Sequence, residues 1–287
     1  MTLLWAVLCG FLFGLGDIIT RLGVRTATPY TGAFTNSIAM SVSLGIFVLA
    51  RGVGSANLWP AVGWFALAGA AGLAPGRLLY YMSVQRIGVS RASVLNSLTP
   101  FIGILMAVGF LGERPTWLIL LGTVFIVGGI IGLVTDRQAS RIPLTIALYG
   151  ITPTFFFSLI PIFMRLGMQS LPDPILGTSV SFLAAILALL AGQFLLPRKS
   201  RWAADRRAIW IFLLAGICLG SAFITFYKAL TIGTVSFVMP LVYTSPLFAI
   251  LISRLLLQKL EQVTWRLAAG AVAVFLGVLL VSMSRGG

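Results

Sequence analysis

The sequence predicts an all-α membrane protein in which ten transmembrane helices form two inverted five-helix repeats around a central cavity. Three observations support this prediction: an apolar composition, a series of long apolar runs, and an internal duplication. Of the 287 residues, 59% are hydrophobic and 9% are charged. Because about a quarter of the residues in a soluble domain are charged, this chain has too little polar surface to fold in water.

Ten apolar runs are long enough to cross a bilayer, for which a helix needs about 20 mostly apolar residues. Short links rich in Gly, Pro, Asn and Arg separate the runs, and no segment is left over for a soluble domain. The predicted spans are Leu3–Ile19, Tyr30–Ala50, Leu58–Val84, Ala92–Leu111, Trp117–Thr135, Ile142–Met164, Ile175–Leu196, Ala208–Leu230, Val235–Leu257 and Trp265–Met283.

A duplication divides the chain into a first half, residues 1–137, and a second half, residues 138–287. The tripeptide Arg21-Leu22-Gly23 recurs 144 positions later as Arg165-Leu166-Gly167. Four residues recur at a spacing of 146, namely Tyr81, Val89, Ser90 and Pro100 as Tyr227, Val235, Ser236 and Pro246. Five more recur at a spacing of 148, namely Glu113, Thr116, Trp117, Gly122 and Gly129 as Glu261, Thr264, Trp265, Gly270 and Gly277.

Each half contains five spans, and an odd number makes the second half enter the membrane from the opposite side. The distribution of basic residues agrees with this inversion. Arg77 lies inside a span, five of the 20 lysines and arginines fall on one side of the membrane, and the other 14 fall on the opposite side. Because cytoplasmic loops carry the excess of Lys and Arg, both termini are predicted to be extracytoplasmic. The five are Arg51, Arg114, Arg165, Lys228 and Arg285.

The residues at 80–100, YYMSVQRIGVSRASVLNSLTP, and those at 110–117, FLGERPTW, resemble the EamA family of the drug/metabolite transporter superfamily. The resemblance extends over the whole chain, although Leu260-Glu261 replaces the family's Gly-Glu corner in the second half. It implies a secondary transporter of the bacterial inner membrane with a cavity formed by helices 1, 3, 4, 6, 8 and 9. Among its branches, the chain is similar to exporters of aromatic and neutral amino acids.

Other classes of function fit the composition poorly. The net charge of +14 is spread between apolar runs, so it favours contact with anionic lipid headgroups over nucleic acid. An enzyme in the membrane would need His, Cys or paired carboxylates that converge; the chain has no histidine, and Cys9 and Cys218 lie in separate apolar runs. We therefore expect no enzymatic activity, cofactor or metal, and a monomer whose partners are the bilayer and a small-molecule substrate.

Asp17 is the acidic residue placed inside a predicted span, roughly two-thirds of the way across. An intramembrane carboxylate is a functional hypothesis by default. Arg21 follows one helical turn later, and Arg77 is predicted at a similar depth in the third span. Asp17 therefore either pairs with one of these arginines as a gate or structural tie, or contacts the substrate or a proton directly.

Prolines predict where helices are broken and backbone groups become available to a substrate. They interrupt the third, fourth, sixth and ninth spans, at Pro75, Pro100, Pro153 with Pro161, and Pro240 with Pro246. A single Ser or Thr near such a break can equally bond to its own helix, whereas a buried Asn needs a partner. The candidate substrate-binding residues around the breaks are Tyr80, Asn96, Ser97, Thr99, Phe101, Thr154, Phe157, Thr225, Tyr227, Tyr243 and Ser245.

The scarcity of titratable groups in the spans predicts facilitated transport, with proton coupling through Asp17 as the alternative. Another solute, such as a drug, a polyamine or a nucleotide sugar, is the alternative to an amino acid. Glu113 and Glu261 are predicted to stabilise the N-termini of the helices that follow them. Glycine pairs spaced by four residues are predicted to let helices approach closely: Gly10/Gly14, Gly72/Gly76, Gly128/Gly132 and Gly216/Gly220.

Overall fold

The computed structural model describes residues 1–24, 26–51, 59–87, 92, 95–134, 144–195, 205–257 and 265–284. These residues are almost entirely helical. The helices are α1 (Thr2–Val24), α2 (Pro29–Arg51), α3 (Trp59–Leu67), α4 (Ala74–Ile87), α5 (Thr99–Leu111), α6 (Trp117–Val134), α7 (Leu144–Ser170), α8 (Pro174–Gly192), α9 (Arg206–Ile232), α10 (Val235–Val242), α11 (Ser245–Leu257) and α12 (Trp265–Met283).

The helices have the composition of a multi-pass membrane protein. Within the part of the chain that the structure describes, five stretches are long and apolar enough to cross a membrane, namely Thr2–Val24, Trp59–Ile87, Gly150–Ser170, Pro174–Gly192 and Arg206–Ile232. Shorter apolar helices account for much of the remainder, and the count of ten spans stays a prediction. Large apolar side chains on the outer surface are exposed, including Leu105 and Phe110 at 71% each, as expected of surfaces that face lipid tails.

Two of the predicted helix breaks occur at matched positions of the two halves. Ser97 and Leu98 form a turn just before α5, and Tyr243 and Thr244 form a turn between α10 and α11. Each turn lies 146 positions from the other and precedes a proline at the start of the next helix. The prediction of a break at Pro153 and Pro161 is wrong, because both prolines lie inside the continuous helix α7. Each proline removes one backbone hydrogen bond, but the helix continues through both positions.

The third span contains a π-helical segment in place of the break predicted at Pro75. A π-helical segment, Ala68–Leu73, joins α3 to α4 without a break, directly before Pro75. The corresponding region of the second half lies within the single α-helix α9. A π-bulge adds one residue to a helix, and the first half has one residue more between Gly69 and Tyr81 than the second has between the matching Gly216 and Tyr227. The π-segment therefore explains why the spacing of the repeat changes here.

Helices α6 and α12 pack against each other through glycines. A β-carbon added to Gly122 would lie 2.7 Å from the carbonyl oxygen of Gly277, and one added to Gly129 would lie 2.7 Å from that of Gly270. The early position of one helix meets the late position of the other, so the two helices run antiparallel. Gly122 and Gly129 match Gly270 and Gly277 in the repeat, so the contact is exchanged between halves, as in an isologous interface.

The cores of the two halves also exchange an aromatic side chain. The ring of Phe212 in α9 lies against Gly23 and Gly32 of the first half, and a β-carbon at either glycine would come within 2.9 Å of it. In the other direction, Phe65 in α3 lies against Gly167 and Gly177 of the second half. Both rings are fully buried. The third span of each half is thus packed inside the other half.

Next to each exchanged ring lies a buried tyrosine whose hydroxyl is hydrogen-bonded to a neighbouring helix, Tyr81 to α2 and Tyr227 to α8. Asn36 Nδ2 donates to the Tyr81 hydroxyl at 2.7 Å, and the hydroxyls of Ser181 and Tyr227 bond to each other. Asn36 and Ser181 occupy matched positions, 145 residues apart. Such polar contacts hold helices together in lipid, where no hydrophobic force drives helix association.

Glu113 stabilises a helix N-terminus, but not the one predicted. Its carboxylate accepts hydrogen bonds from the backbone amides of Val235 and Ser236 at 2.7 and 2.8 Å, and from the Ser236 hydroxyl at 2.6 Å. The prediction that it serves the following helix α6 is therefore wrong, because it caps α10 of the other half. Gly112, with φ of 66°, ends α5 in a left-handed conformation that glycine adopts without strain. Glu261 lies outside the described residues.

The glycine contacts predict a difference between neighbouring residues of α6. Gly129→Ala should lower the melting temperature, because its β-carbon would meet backbone atoms of Gly270, and overpacking costs about 1–3 kcal/mol. Gly128→Ala should leave it within error, since nothing lies within 4 Å of a β-carbon there. Thermal unfolding of the purified variants in detergent tests this. The prediction that Gly128 and Gly132 mediate close packing is wrong, since a β-carbon at either would meet open space. Equal melting temperatures for both variants would contradict the packing described.

Candidate substrate cavity

A cavity of about 120 Å³ lies between the two halves. Side chains from α1, α4, α7, α9, α10 and α11 and from the turns at the helix breaks form its wall. The lining residues are Phe13, Asp17, Arg77, Tyr80, Tyr81, Asn96, Phe157, Ile160, Leu219, Phe223, Phe226, Met239, Val242, Tyr243 and Ser245. The wall is therefore mostly aromatic and aliphatic, with one carboxylate and one guanidinium, which is the composition typical of small-molecule sites.

Seven of the candidate residues from the sequence line this cavity. They come from five predicted spans, the first, third, fourth, sixth and ninth, and the fold brings them to one cavity. They are Asp17, Arg77, Tyr80, Asn96, Phe157, Tyr243 and Ser245. Their contact with a substrate stays a prediction.

Seven other candidates are not part of the cavity wall. Thr225 Oγ1 donates to the carbonyl of Ala222 at 2.7 Å, and Thr154 Oγ1 donates to that of Leu95 at 3.4 Å, so both hydroxyls are used by backbone groups. Tyr227 is fully buried and bonded to Ser181. The complete set outside the wall is Arg21, which is exposed, Phe101, which is half-buried, and the buried residues Ser97, Thr99, Thr154, Thr225 and Tyr227.

Thr99 is not part of the cavity wall, but it bonds to a residue that is. Its hydroxyl donates to the backbone carbonyl of Asn96 at 2.6 Å and lies 3.4 Å from the Asn96 side-chain oxygen. It also interacts with the Tyr243 hydroxyl. Thr99 thus connects a lining residue of the first half to one of the second half, at the two matched helix breaks.

Asp17 faces the cavity, and its carboxylate makes no ion pair with any residue in the described part of the chain. Arg21 and Arg77 both act electrostatically on its carboxylate. Among the residues that the structure describes, however, no guanidinium nitrogen lies within 4.0 Å of an Asp17 oxygen. In this conformation neither Arg21 nor Arg77 forms the predicted direct pair with Asp17, whose side chain lines the cavity. A gating role for this residue stays a prediction.

Arg77 is buried, with 8% of its surface exposed, and its remaining surface faces the cavity. Its Nη1 donates to the thioether sulfur of Met40 at 3.2 Å. Because sulfur is a weak acceptor and a guanidinium carries five N–H donors, this contact alone does not neutralise the charge of Arg77. The π-segment ends one helical turn upstream of Arg77.

Eight lining residues were absent from the sequence-based candidates because they are apolar or, in the case of Tyr81, were assigned to the repeat alone. The duplication itself contained a signal for several of them. Phe13 is the counterpart of the predicted Phe157 at a spacing of 144, and Phe226 is the counterpart of the predicted Tyr80 at 146. Transferring each candidate to its matched position would have found both.

The cavity predicts which introduced cysteines react with a water-soluble thiol reagent. In a Cys9→Ala, Cys218→Ala background, Asn96→Cys and Ser245→Cys should be labelled, since both positions line the cavity. Thr154→Cys and Ser158→Cys should stay unlabelled, because both side chains are fully buried. Mass spectrometry of the folded protein measures the labelling, with denatured protein as the control for reactivity. Labelling of the buried pair at the rate of the lining pair would contradict the cavity described.

Comparison with known proteins places the chain among membrane transporters. A model of the EamA-like transporter family matches residues 1–135 and 144–283, which correspond to the two halves. No curated protein matches the chain. A crystal structure of a protein with 19% sequence identity superposes with a TM-score of 0.76 over 97% of this chain and 98% of that chain, which shows a shared fold. Members of the matched family are membrane transporters of small solutes. Because the family model covers both halves, the chain belongs to the EamA-like transporter family of the drug/metabolite transporter superfamily.

Proposed function

We propose that this protein exports amino acids, with aromatic and hydrophobic ones favoured, across the bacterial inner membrane. The observation that supports this most is the cavity wall, which combines one carboxylate and one guanidinium with seven aromatic rings. The rings offer flat apolar surface to a side chain, and the two charges suit an ammonium and a carboxylate. The aromatic residues are Phe13, Tyr80, Tyr81, Phe157, Phe223, Phe226 and Tyr243.

The mechanism we propose is alternating access by two inverted repeats, residues 1–137 and 138–287, with five spans each and both termini outside the cytoplasm. The antiparallel packing of α6 on α12 and the exchanged aromatic rings support this, because both relate the halves by a two-fold operation across the helix axes. In such transporters the substrate lies near the midplane at the repeat interface, and the two halves exchange conformations around it. A monomer contains both repeats and hence the whole cavity.

Transport is proposed to be facilitated, driven by the substrate gradient. Asp17 is the acidic residue in the cavity wall, and proton coupling through it is the alternative. The same wall argues against two other solutes. A polyamine would place several positive charges beside Arg77, and a nucleotide sugar would place phosphate charge beside Asp17. Like charges in a site of low dielectric repel strongly.

Transport assays in proteoliposomes test this proposal. Radiolabelled phenylalanine, tryptophan, leucine and lysine would be measured for exchange against the same unlabelled amino acid, with empty liposomes as the control. We expect saturable exchange of the aromatic and hydrophobic amino acids and little of lysine, whose second ammonium lacks a partner in the wall.

The same vesicles distinguish the two modes of coupling. With equal substrate on both sides, an imposed pH gradient should produce no net accumulation of phenylalanine. Accumulation against its gradient, lost in Asp17→Asn, would replace facilitated transport by proton coupling. Exchange of a polyamine or a drug with no exchange of any amino acid would contradict the proposed substrate.

A further inference from the structure

The cavity lies where matched positions of the two halves face each other, so its wall can be compared position by position. The spacing of 146 that relates Tyr81 to Tyr227 applies to the lining residues after the π-segment. By this spacing Arg77 matches Phe223, and Tyr80 matches Phe226. All four line the cavity. At both positions the first half contributes a polar group where the second half contributes a phenylalanine.

The same division holds at two further positions. Asn96 matches Val242 at a spacing of 146, and both line the cavity. Asp17 matches Pro161 at the spacing of 144 that relates the Arg-Leu-Gly tripeptides. The charged groups of the wall therefore both belong to the first half.

The second half is not entirely apolar, since Tyr243 and Ser245 also line the cavity. Their hydroxyls are uncharged, and Tyr243 interacts with Thr99 of the first half. Tyr243 lies in the turn of the helix break, and Ser245 is the first residue of the helix that follows it. The symmetric frame thus encloses a cavity with a charged side and an aromatic side.

Arg77 is buried and Asp17 is half-buried, so both charges are largely removed from water. An ionised group taken out of water is costly unless a partner compensates it. The Asp17 carboxylate has no guanidinium within 4.0 Å among the described residues, and the hydrogen bond described for Arg77 goes to a sulfur atom. The positive charge of Arg77 nevertheless acts on the Asp17 carboxylate. A ligand that carries one positive and one negative group close together can satisfy both at once without adding net charge to the cavity.

We propose that Asp17 binds the α-ammonium group and Arg77 the α-carboxylate of the substrate, while Phe223 and Phe226 contact its side chain. This inference rests on the proposed function, that amino acids are the substrates, and adds the orientation of the substrate and the residues that determine its specificity. The head group lies against the first half and the side chain against the second. A guanidinium suits a carboxylate because it offers two parallel N–H donors.

The experiment compares three ligands of similar size. L-Phenylalanine carries both head groups, 3-phenylpropionate lacks the ammonium, and 2-phenylethylamine lacks the carboxylate. Binding to the purified full-length protein in detergent would be measured by isothermal titration calorimetry. The readout is the ratio of dissociation constants between ligands for one variant, because general damage to the fold weakens all three ligands together and cancels from the ratio.

We expect the wild type to prefer phenylalanine over each analogue by about tenfold or more, the size of one charge-assisted hydrogen bond. Asp17→Asn should reduce the preference over 3-phenylpropionate to within about threefold and keep the preference over 2-phenylethylamine. Arg77→Gln should do the reverse. The matched controls Asp205→Asn and Arg207→Gln, which remove exposed charges at the start of α9, should change neither ratio.

A third variant tests the aromatic side. Phe226→Leu should reduce the preference for phenylalanine over alanine by about tenfold or less, in the range expected for altered apolar contact, while both ratios above stay at the wild-type value.

The outcomes separate the two levels of the proposal. If the wild type binds phenylalanine but Asp17→Asn and Arg77→Gln change both ratios equally, or change neither, the assigned contacts are wrong and amino-acid transport stands. If each variant alters only the ratio assigned to the other, Asp17 and Arg77 do not bind the head groups as assigned and the inference is overturned. If the wild type binds none of the amino acids, the proposed function itself fails, and the inference with it.

Discussion

The exchange of one aromatic ring between the two halves is the contact on which the remainder of the structure depends. Phe212 fills the space left by Gly23 and Gly32, and Phe65 fills the matching space in the second half. In a bilayer, helices associate through close packing and polar contacts, because lipid tails are as apolar as the side chains themselves. The two halves therefore cannot part without creating voids at both rings. In the proposed mechanism, the halves would therefore move relative to each other while these rings stay packed.

That joint explains where the cavity lies and why it can be asymmetric. The packing of α6 on α12, the exchanged rings and the matched helix breaks are all repeated in both halves, so they constrain the backbone. Most lining side chains take no part in these packing contacts and can therefore differ between the halves. The π-segment before Arg77 is a local departure from the symmetry, and π-bulges are frequent at functional sites. In the proposed mechanism, the symmetric contacts would guide the movement of the halves, and the asymmetric cavity wall would recognise the substrate.

The helical character of the chain and the presence of two repeats were predictable from the sequence, because both leave periodic or repeated signals over many residues. Half of the candidate site residues line the cavity, among them Asp17, Arg77 and Asn96, since unusual polar residues in apolar runs are conspicuous. Apolar lining residues such as Phe223 leave no comparable signal, because an aromatic residue in a span is as compatible with lipid or core. The threonines were overcounted because a hydroxyl can bond to a backbone carbonyl nearby.

Contacts between the halves were the least predictable feature. Glu113 precedes α6 in the chain, yet its carboxylate caps α10. The residues it contacts there, Val235 and Ser236, are 122 and 123 positions away in the sequence. Likewise, the spacing of four between Gly128 and Gly132 fits a packing motif, whereas the contact uses Gly122 and Gly129. In both cases the local pattern identified the right chemistry, and the partner depended on how the two halves fold against each other.

The most direct measurement of the central claim is the side of the membrane to which matched loops are exposed. Thr26, between α1 and α2, and Pro172, between α7 and α8, are exposed and occupy corresponding places in the two halves. Single cysteines there, in a background without Cys9 and Cys218, would be labelled in intact cells with a membrane-impermeant maleimide. Inverted halves predict labelling of Pro172→Cys from outside and of Thr26→Cys only after the membrane is opened. Labelling of both cysteines from the same side would contradict the inversion and the transport mechanism built on it.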